Sequence, residues 1–446
     1  MKSKFMPVSK ERMNMGKLYV GVAREGVTPE IGGHMFGYNL NTFSTSVNDE
    51  LNVTSLAFSY GETKFMMISA TVCVICLAYC NEIREAISKE LNIPFENILI
   101  SAIHTHSGPS LADANDGFIT EPEYYKNTFL PACVSASKKA MESIVPVKVG
   151  TGFGASYAGI NRRQLMLDNK VQFGQNPWAP FNTEMVVISF KDLNDNVVAN
   201  VISYSAHATA AGGNTEITRD WPGVMCDMLE EKSGGMTLFF NGTMGDSGPR
   251  LKSGGTGGTG IHDVYEIGKI AGNDAINIYN NIKEYKDTSI AKSSKTLMFP
   301  LKPRLPYEEV SEYVKSMEGK VLSHINSFIF SFYKKVKTSY ENGYIEKEFK
   351  EIPQTVFRIG DVVFAPFPFE MFTEIAFRID AEVKDLKVVT ISYTNGQLLY
   401  LPTEDQLCRG GHEVNLFKYS NVQQYADNTD FYAVTETLKN IENLSR

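Results

Sequence analysis

Two histidines that could bind a metal or move protons, His104 and His106, follow a short apolar run at residues 97–102 in the segment SAIHTHSGPS. The run is typical of a buried strand, and side chains two residues apart on a strand point to the same face. Both imidazoles are therefore expected at one site at the carboxyl end of a strand, where ligand sites of α/β sheets gather. Taken alone, the pair is equally typical of two hydrogen-bonded surface histidines.

A second apolar run ends in a third histidine, His207, within the segment VISYSAHATA. The small residues around it leave room for a ligand or a metal, although a hydrogen-bonded core histidine fits the same pattern. Two strands that each end in histidine are a stronger signal than either one alone. Neutral imidazole is an ordinary ligand of Zn²⁺.

Two further side chains could complete such a site. Glu370 follows the apolar segment FAPFPF, where a carboxylate is costly unless it is paired or bound to a cation. The alternative is a glutamate in the first turn of a helix, which is expected over residues 370–385, where it would complement the helix dipole. Tyr400, in the segment QLLYLPTED, is by itself no more than a packed aromatic residue.

A nucleophilic serine is the alternative chemistry. Ser247 lies in the segment NGTMGDSGPR, whose GDSGP resembles the nucleophile loop of trypsin-like serine proteases. The second glycine of the protease motif is absent, and His207 and Ser247 are too close in sequence for the protease fold. No acidic residue between them is a clear third member, so a serine triad is disfavoured.

Taken together and in order, these segments resemble the neutral, non-lysosomal ceramidase family over residues 18–406. SAIHTHSGPS closely resembles the family's His-Thr-His-Ser-Gly-Pro stretch, GVAREGVTPEIGGHMFGY its opening segment, and GINRR its Gly-Ile-Asn-Arg segment. Further matches are SAHAT with ITRDWPG, GTMGDSGP, PFPFE and YLPTED. The first match is specific, and the order of the others is hard to obtain by chance.

The resemblance implies one zinc ion per chain, held by two histidines, a glutamate and a tyrosine. The matching positions are His104, His207, Glu370 and Tyr400, with His106 as the alternative ligand from the histidine pair. Such an ion lowers the pKa of its bound water to about 7 and polarises a carbonyl. The implied reaction is hydrolysis of an amide (N-acyl) bond.

The same resemblance implies roles for residues around the ion. Tyr400 and Arg162 would stabilise the oxyanion, and His106 would act as acid or base and protonate the leaving amine. Asp246, or alternatively Asp220, would orient an imidazole through a hydrogen bond.

Two departures from the family bear on the reaction and the substrate. Ceramidases carry a serine two residues after the Gly-Asp aspartate, where this chain has Gly248, and Ser247 is one place early. A metal-activated water is therefore favoured over a serine nucleophile. The family's secretion signal is also not expected here, so the substrate is predicted to be a small or lipid-like N-acyl compound, an ester or a lactone, and not necessarily ceramide. A serine hydrolase using Ser247 and a non-catalytic binding protein on the same scaffold are the alternatives.

The elements that must position these residues alternate between strands and helices, which is typical of an α/β protein with a mixed β-sheet core flanked by helices. At 446 residues and 43% hydrophobic content, the chain can bury a large core. We expect a loose N-terminal lead-in at residues 1–16 and one large catalytic domain at 17–446, without a C-terminal immunoglobulin-like domain. Strands are predicted at 17–22, 53–60, 64–69, 97–102, 184–190, 197–203, 236–240, 356–366 (a pair) and 387–393, and helices at 79–91, 124–144, 221–232, 263–282, 307–344 and 370–385.

Charge and hydropathy exclude two kinds of partner. The net charge is −8 and no long basic run occurs, so the sequence lacks the basic patch that is typical of nucleic-acid-binding proteins. The most apolar run, residues 66–80, is shorter than the roughly 20 residues that a bilayer span needs. Charges interrupt the N-terminus, so we expect a cytoplasmic protein without a signal peptide and with free cysteines. Cys73, Cys76 and Cys80 have helix-face spacing and are expected to be buried structural thiols; the oligomeric state is left open.

Overall fold

The computed structural model of the protein describes residues 16–38, 42–112, 120–322 and 324–445. The predicted lead-in at residues 1–16 lies outside these ranges except for Gly16. The described elements form a mixed α/β fold with a large central sheet flanked by helices, which confirms the fold class predicted from the alternation of strands and helices.

Eight strands form the central sheet, and each has the apolar, β-branched composition of a buried strand. Their order across the sheet is β8-β7-β6-β5-β1-β2-β3-β4, in which β7 and β8 are parallel, as are β3 and β4, and the other neighbours are antiparallel. In chain order the strands are β1 (Leu18–Gly26), β2 (Asn52–Tyr60), β3 (Thr63–Ala70), β4 (Ile98–Ala102), β5 (Val145–Ala155), β6 (Glu184–Asp192), β7 (Val197–Tyr204) and β8 (Met236–Asn241).

A second sheet of four strands packs face to face against the central one. Its strands, in chain order and in spatial order alike, are β9 (Ile290–Pro300), β10 (Phe349–Ile359), β11 (Val362–Pro366) and β12 (Lys387–Ile391). Phe65 of the central sheet and Phe357 of the second sheet stack with ring centroids 3.7 Å apart. Aromatic and aliphatic side chains of both sheets share one buried cluster, so burial of apolar area holds the two sheets together.

Helices cover the two outer faces and complete a four-layer arrangement of helices, sheet, sheet and helices. The central sheet is covered by α1 (Leu77–Leu91), α2 (Leu130–Glu142), α3 (Asp220–Ser233) and α4 (Ile261–Asn280). α5 (Tyr307–Met317) and α6 (His324–Glu341) pack on each other. The second sheet is covered by α7 (Thr373–Glu382) and α9 (Thr429–Glu442), with α8 (His412–Lys418) beside them. In the described part of the chain, every helix is too short or too polar to cross a bilayer.

Short elements connect these layers. They are the strands Met35–Phe36, Ser46–Val47, Gly108–Pro109, Gly159–Asn161, Arg163–Leu165, Val171–Phe173, Glu216–Ile217, Ser247–Pro249, Glu370–Met371 and Tyr400–Leu401, and the helical turns Phe95–Asn97, Pro122–Tyr124, Tyr125–Phe129, Glu404–Gln406 and Asn443–Ser445. Several of them carry the residues of the candidate site.

The structure corrects three predicted elements. The helix expected to begin at residue 370 begins at Thr373, because Glu370–Met371 pairs in parallel with Tyr400–Leu401. The helical region 307–344 is two helices. The helix after β3 begins at Leu77, so Cys73 and Cys76 precede it and share no helix face with Cys80, although all three are buried, and all six cysteines are free.

Candidate active site

The central sheet curls until segments from its two sides meet. Five strands lie between β4 and β7 in the sheet order, yet the segments that follow them are in contact. Asn241 Nδ2, at the end of β8, donates a hydrogen bond to Ile103 O, just after β4, at 3.2 Å. Thr105 and Ala208 then form a parallel bridge. The predicted histidines after β4 and β7 are therefore placed side by side.

His104 and His106 reach one site, but strand alternation is not the reason. β4 ends at Ala102, and His104 has a left-handed backbone conformation with φ of 69°, which is uncommon for a residue other than glycine. The backbone N–H of His106 donates to Ala208 O at 3.3 Å, which ties the turn to the segment after β7. As a result, the Nε2 atoms of His104 and His106 lie 3.1 Å apart.

A carboxylate from the segment that follows β11 joins two of these imidazoles. Glu370 Oε2 lies 2.7 Å from His207 Nε2 and 3.7 Å from His104 Nε2, and all three residues are buried. The other carboxylate oxygen, Oε1, accepts a hydrogen bond from the hydroxyl of Tyr393 at 2.5 Å. The short pairing of Glu370–Met371 with Tyr400–Leu401 fixes the backbone that presents this glutamate.

Backbone carbonyls set the orientation of the two imidazoles. His104 Nδ1 donates to Cys73 O at 2.9 Å, and His207 Nδ1 donates to Met244 O at 2.7 Å. We assign the proton of each neutral ring to Nδ1 from these contacts, which leaves Nε2 facing the cluster as an acceptor.

Among the described residues, the hydrogen bonds of Asp220 and Asp246 go to backbone N–H groups, a hydroxyl and a side-chain amide, whereas the sequence analysis predicted that one of them orients an imidazole. The carboxylate of Asp220 accepts from the backbone N–H groups of Ala210 and Ala211 at 3.0 and 2.8 Å, and so orders the segment after His207. Asp246 accepts from the backbone N–H and the hydroxyl of Thr373 at 3.1 and 2.8 Å. Burial raises the pKa of Asp246 to about 7 and that of Asp220 to about 6.

The cluster fits a divalent cation. One nitrogen each from His104 and His207 and one oxygen from Glu370 lie within 4.8 Å of one another. His207 Nε2 and Glu370 Oε2 are buried without a hydrogen-bond partner of good geometry among the described residues. Buried acceptors of this kind are costly when unsatisfied, and two imidazoles with one carboxylate are a donor set that Zn²⁺ accepts, leaving a position open.

A second group of possible ligands overlaps the first. Cys73, His104 and His106 also offer three ligand atoms within 4.8 Å of one another. Burial raises the pKa of the Cys73 thiol well above its usual value, and His104 Nδ1, the ring nitrogen 3.4 Å from its sulfur, is already bonded to Cys73 O. We therefore place the candidate metal centre at His104, His207 and Glu370.

Tyr400 and Arg162 border this centre. The rings of Tyr400 and His207 are almost parallel, with an interplanar angle of 10° and centroids 6.5 Å apart. Arg162 Nη2 donates to the hydroxyl of Tyr400 at 2.9 Å and to Gly245 O at 3.1 Å. Burial, followed by the charge of Glu370, raises the pKa of Tyr400 well above its usual value, so the phenol is protonated at neutral pH in the absence of a cation.

Burial also determines the charge of the histidines. It lowers the pKa of His104 to about 4 and, together with the neighbouring imidazoles, lowers the pKa of His106 well below its usual value. Although burial alone would raise the pKa of Glu370, His104 and His207 lower it. At neutral pH His104 and His106 are thus neutral beside an ionised Glu370, and neutral imidazole and carboxylate are the forms that bind a metal ion.

Ser247 is placed beside the cluster, but its hydroxyl makes no hydrogen bond to an imidazole among the residues that the structure describes. The hydroxyl donates to Thr243 O at 2.9 Å and is fully buried. The backbone carbonyl of Ser247 instead accepts from His207 Nδ1 at 3.0 Å and from His207 N at 3.2 Å. Its observed role is therefore to hold the backbone next to His207.

Three residues of the site were missed by the sequence analysis. Tyr393 bonds to Glu370, His412 has its ring centroid 5.8 Å from that of Tyr400, and Glu413 lies 3.2 Å from Arg162 Nε. Tyr393 follows β12 as His104 follows β4, so the strand-end pattern that selected the histidines also applies to it. His412 and Glu413 begin a short helix after two glycines, which carries no comparable signal.

The sequence matches two known proteins over a limited region. It is 29% identical over 155 residues to neutral ceramidase A of Dictyostelium discoideum and 29% identical over 137 residues to neutral ceramidase B of the same organism. These matches cover 32% and 27% of this chain but only 21% and 18% of the two relatives, so they span about a fifth of each relative's length. No family model matches the chain.

The fold matches solved ceramidase structures over nearly the whole chain. The neutral ceramidase of Pseudomonas aeruginosa superimposes with a TM-score of 0.73 at 17% identity, covering 95% of this chain and 74% of that one. A ceramidase complexed with C2 gives a TM-score of 0.72 at 16% identity, covering 96% and 76%. The sequence and structural matches together support the family recognised from the ordered motifs.

Proposed function

We propose, from the premise that the chain belongs to the neutral ceramidase family, that it is a zinc-dependent hydrolase that cleaves an amide (N-acyl) bond with a metal-activated water. The observation that carries the proposal is the convergence of His104, His207 and Glu370, whose inward-facing acceptors are buried and suit a cation. The names of the relatives support an N-acyl, lipid-like substrate. Tyr400 is proposed as the fourth ligand and His106 as the alternative to His104.

The residues around the centre have the properties that this reaction needs. When bound, zinc supplies a coordinated water of lowered pKa and polarises the carbonyl of the substrate. Although burial alone would lower the pKa of Arg162, Tyr400 and Glu413 raise it, so its guanidinium stays charged. Arg162, and the hydroxyl of Tyr400 whenever it is not bound to zinc, would then donate to the carbonyl oxygen as negative charge develops. His106, a neutral imidazole beside His104, can accept a proton and deliver it to the leaving amine.

A serine hydrolase and a non-catalytic binding protein are the competing functions. The hydroxyl of Ser247 is buried and donates to a backbone carbonyl, an arrangement without the base that a serine nucleophile needs. Labelling of Ser247 by a fluorophosphonate probe, abolished in Ser247→Ala, would favour the serine mechanism. Inertness of the metal-loaded protein toward amides, esters and lactones alike would favour the binding protein.

Two broader assignments belong to the same proposal. All six cysteines are free, and this usage is typical of a reducing compartment, which supports a cytoplasmic location. The four layers share continuous cores, which supports one catalytic domain over residues 17–446.

Metal analysis joined to an activity screen tests the proposal. Purified protein should contain about one zinc per chain and should hydrolyse some members of a panel of N-acyl amines with short and long acyl chains. His207→Ala should lose both the metal and the activity, because it removes a ligand from the buried cluster. His262→Ala, which changes a largely exposed histidine on α4, is the control and should retain both. A normal zinc content in His207→Ala would contradict the assignment.

A further inference from the structure

Glu413 lies in the first turn of α8 and is 1% exposed, which is rare for a carboxylate that is not paired. Both of its oxygens face guanidinium groups. Oε2 accepts a hydrogen bond from Arg163 Nη1 at 2.6 Å, and Oε1 lies 3.2 Å from Arg162 Nε. One buried carboxylate therefore lies between two buried cations that are adjacent in the sequence.

The two arginines use their remaining donors differently. Arg163 Nη2 donates to Gly410 O at 2.9 Å, so this guanidinium faces the segment before α8. Arg162 Nη2 donates to the hydroxyl of Tyr400 and to Gly245 O, so this guanidinium faces the candidate metal centre. The contact between Arg162 Nε and Glu413 Oε1 is an ion pair without hydrogen-bond geometry. Because a guanidinium is planar and rigid, electrostatic attraction of its Nε edge toward Glu413 also sets the direction of its Nη2 donor.

We infer that Glu413 is a positioning residue that holds the guanidinium of Arg162 against the hydroxyl of Tyr400. Its charge offsets the repulsion between Arg162 and Arg163, and its attraction for Arg162 opposes that of Glu370. Glu370 is another carboxylate that attracts Arg162. Without Glu413, Arg162 would therefore be drawn toward Glu370 and away from the position from which it can donate to a carbonyl oxygen. The kinetic part of the inference rests on the proposed function, whereas the positional part does not.

Glu413→Gln tests the inference, because the amide keeps the size of the side chain and removes its charge. We expect kcat to fall by about 10- to 100-fold, the usual effect of losing a group that orients an active-site residue, with KM and zinc content nearly unchanged. A crystal structure of the variant should show that the contact between Arg162 Nη2 and the Tyr400 hydroxyl is lost. Glu413→Asp, which keeps the charge, should restore part of the kcat.

Glu230→Gln is the matched control. Glu230 lies on α3, outside the site, and its carboxylate pairs with Arg24 of β1. Its loss should leave kcat unchanged. The inference is overturned if Glu413→Gln keeps both the Arg162–Tyr400 contact and the wild-type kcat. If Glu413→Gln does not fold, the double variant Glu413→Gln/Arg163→Met decides, because it removes the carboxylate charge together with one of the two buried cations paired with it. An unmoved Arg162 in that variant overturns the inference. If the wild-type protein hydrolyses none of the substrates, the proposed function fails. Crystal structures of the wild type and of Glu413→Gln still decide whether Glu413 holds Arg162 in place.

Discussion

Thr105 pairs with Ala208 in a parallel bridge, although the strands that precede these two residues are separated by five others in the central sheet. The bridge is possible because the sheet curls, and it sets His104 and His207 next to each other. Glu370 reaches the pair from the segment after β11, with Oε2 2.7 Å from His207 Nε2. The candidate metal centre is thus made where three separate segments of the chain meet.

Removal of the metal should lower the stability of the protein. Without a cation, buried acceptors on His207 and Glu370 lack partners of good geometry. A ligand that binds only the folded state contributes about 4 kcal/mol when its concentration is a thousandfold above Kd. The melting temperature should therefore be lower in the presence of a chelator and should return to its original value when Zn²⁺ is added. A melting temperature that changes neither with the chelator nor with added Zn²⁺ would show that no structural metal is bound.

Tyr393→Phe should weaken metal binding without abolishing it. The change removes the hydroxyl that donates to Glu370 Oε1 and leaves all proposed ligands in place. A hydrogen bond to a charged group contributes about 1.5–3 kcal/mol, and loss of such partners lowers metal affinity by about 10- to 100-fold. Competition with a chromogenic chelator measures the change. An affinity equal to that of the wild-type protein would mean that Tyr393 does not orient the glutamate.

Gly37→Ala should displace His106. A Cβ at this position would lie 2.5 Å from His106 Cγ, closer than any van der Waals contact, and the backbone has a φ of 130°. A displacement of about 1 Å in a catalytic group can reduce the rate by about 100-fold, so we expect a large loss of activity toward any substrate found in the screen.

Gly32→Ala is the control for that prediction. Gly32 also has a positive φ, of 95°, but a Cβ there would meet no atom within 4 Å. Both variants should lose similar stability from backbone strain, whereas only Gly37→Ala should lose activity. Equal activities in the two variants would mean that the position of His106 does not affect the reaction.

Asp246→Asn should change how stability depends on pH. Burial raises the pKa of Asp246 to about 7 in the folded protein, against an ordinary value of 3.8. Between about pH 4 and pH 7 the folded state therefore binds more protons at this residue than the unfolded state, so stability falls as pH rises through this range and is constant above it. The effect of one group with this shift is on the order of a few kcal/mol.

The prediction is tested by urea unfolding of the wild type and of Asp246→Asn across this pH range, with the free energies of unfolding of the two proteins compared at each pH. Histidines with lowered pKa values, such as His104, produce a slope of opposite sign, but they are present in both proteins and cancel. The free energy of unfolding of Asp246→Asn should fall less between about pH 4 and pH 7 than that of the wild type. Parallel curves would show that Asp246 is ionised in the folded state.

The sequence allowed the fold class and the main residues of the site to be predicted, for identifiable reasons. Buried strands are short apolar runs, and polar side chains at their ends, such as His104 and His207, stand out against them. The curl of the sheet could not be predicted, because it depends on how two sheets pack. The partners of the imidazoles could not be predicted either, because Cys73 and Met244 contribute backbone carbonyls, which any residue type possesses.

The positions of Glu370 and Glu413 show a second limit. Glu370 was expected to begin a helix, but its backbone pairs with Tyr400, and this contact joins segments that sequence patterns treat separately. Glu413 lies near Gly410 and Gly411, in a segment that reads as a loop. Its carboxylate becomes significant only when Arg162 and Arg163 are brought to it by the folding of the whole chain.

The meeting of three distant segments also bears on when a cation could be acquired during synthesis. His104 and His207 emerge from the ribosome well before Glu370 and Tyr400, whose short strands pair with each other. The second sheet, whose strand β11 precedes the glutamate, cannot pack until its last strand, β12, has been made. A complete ligand set would therefore arise only once Tyr400 has been made and its segment has paired with that of Glu370. Nascent chains halted before residue 370 should retain no zinc, so loading of the metal would follow the synthesis of the second sheet.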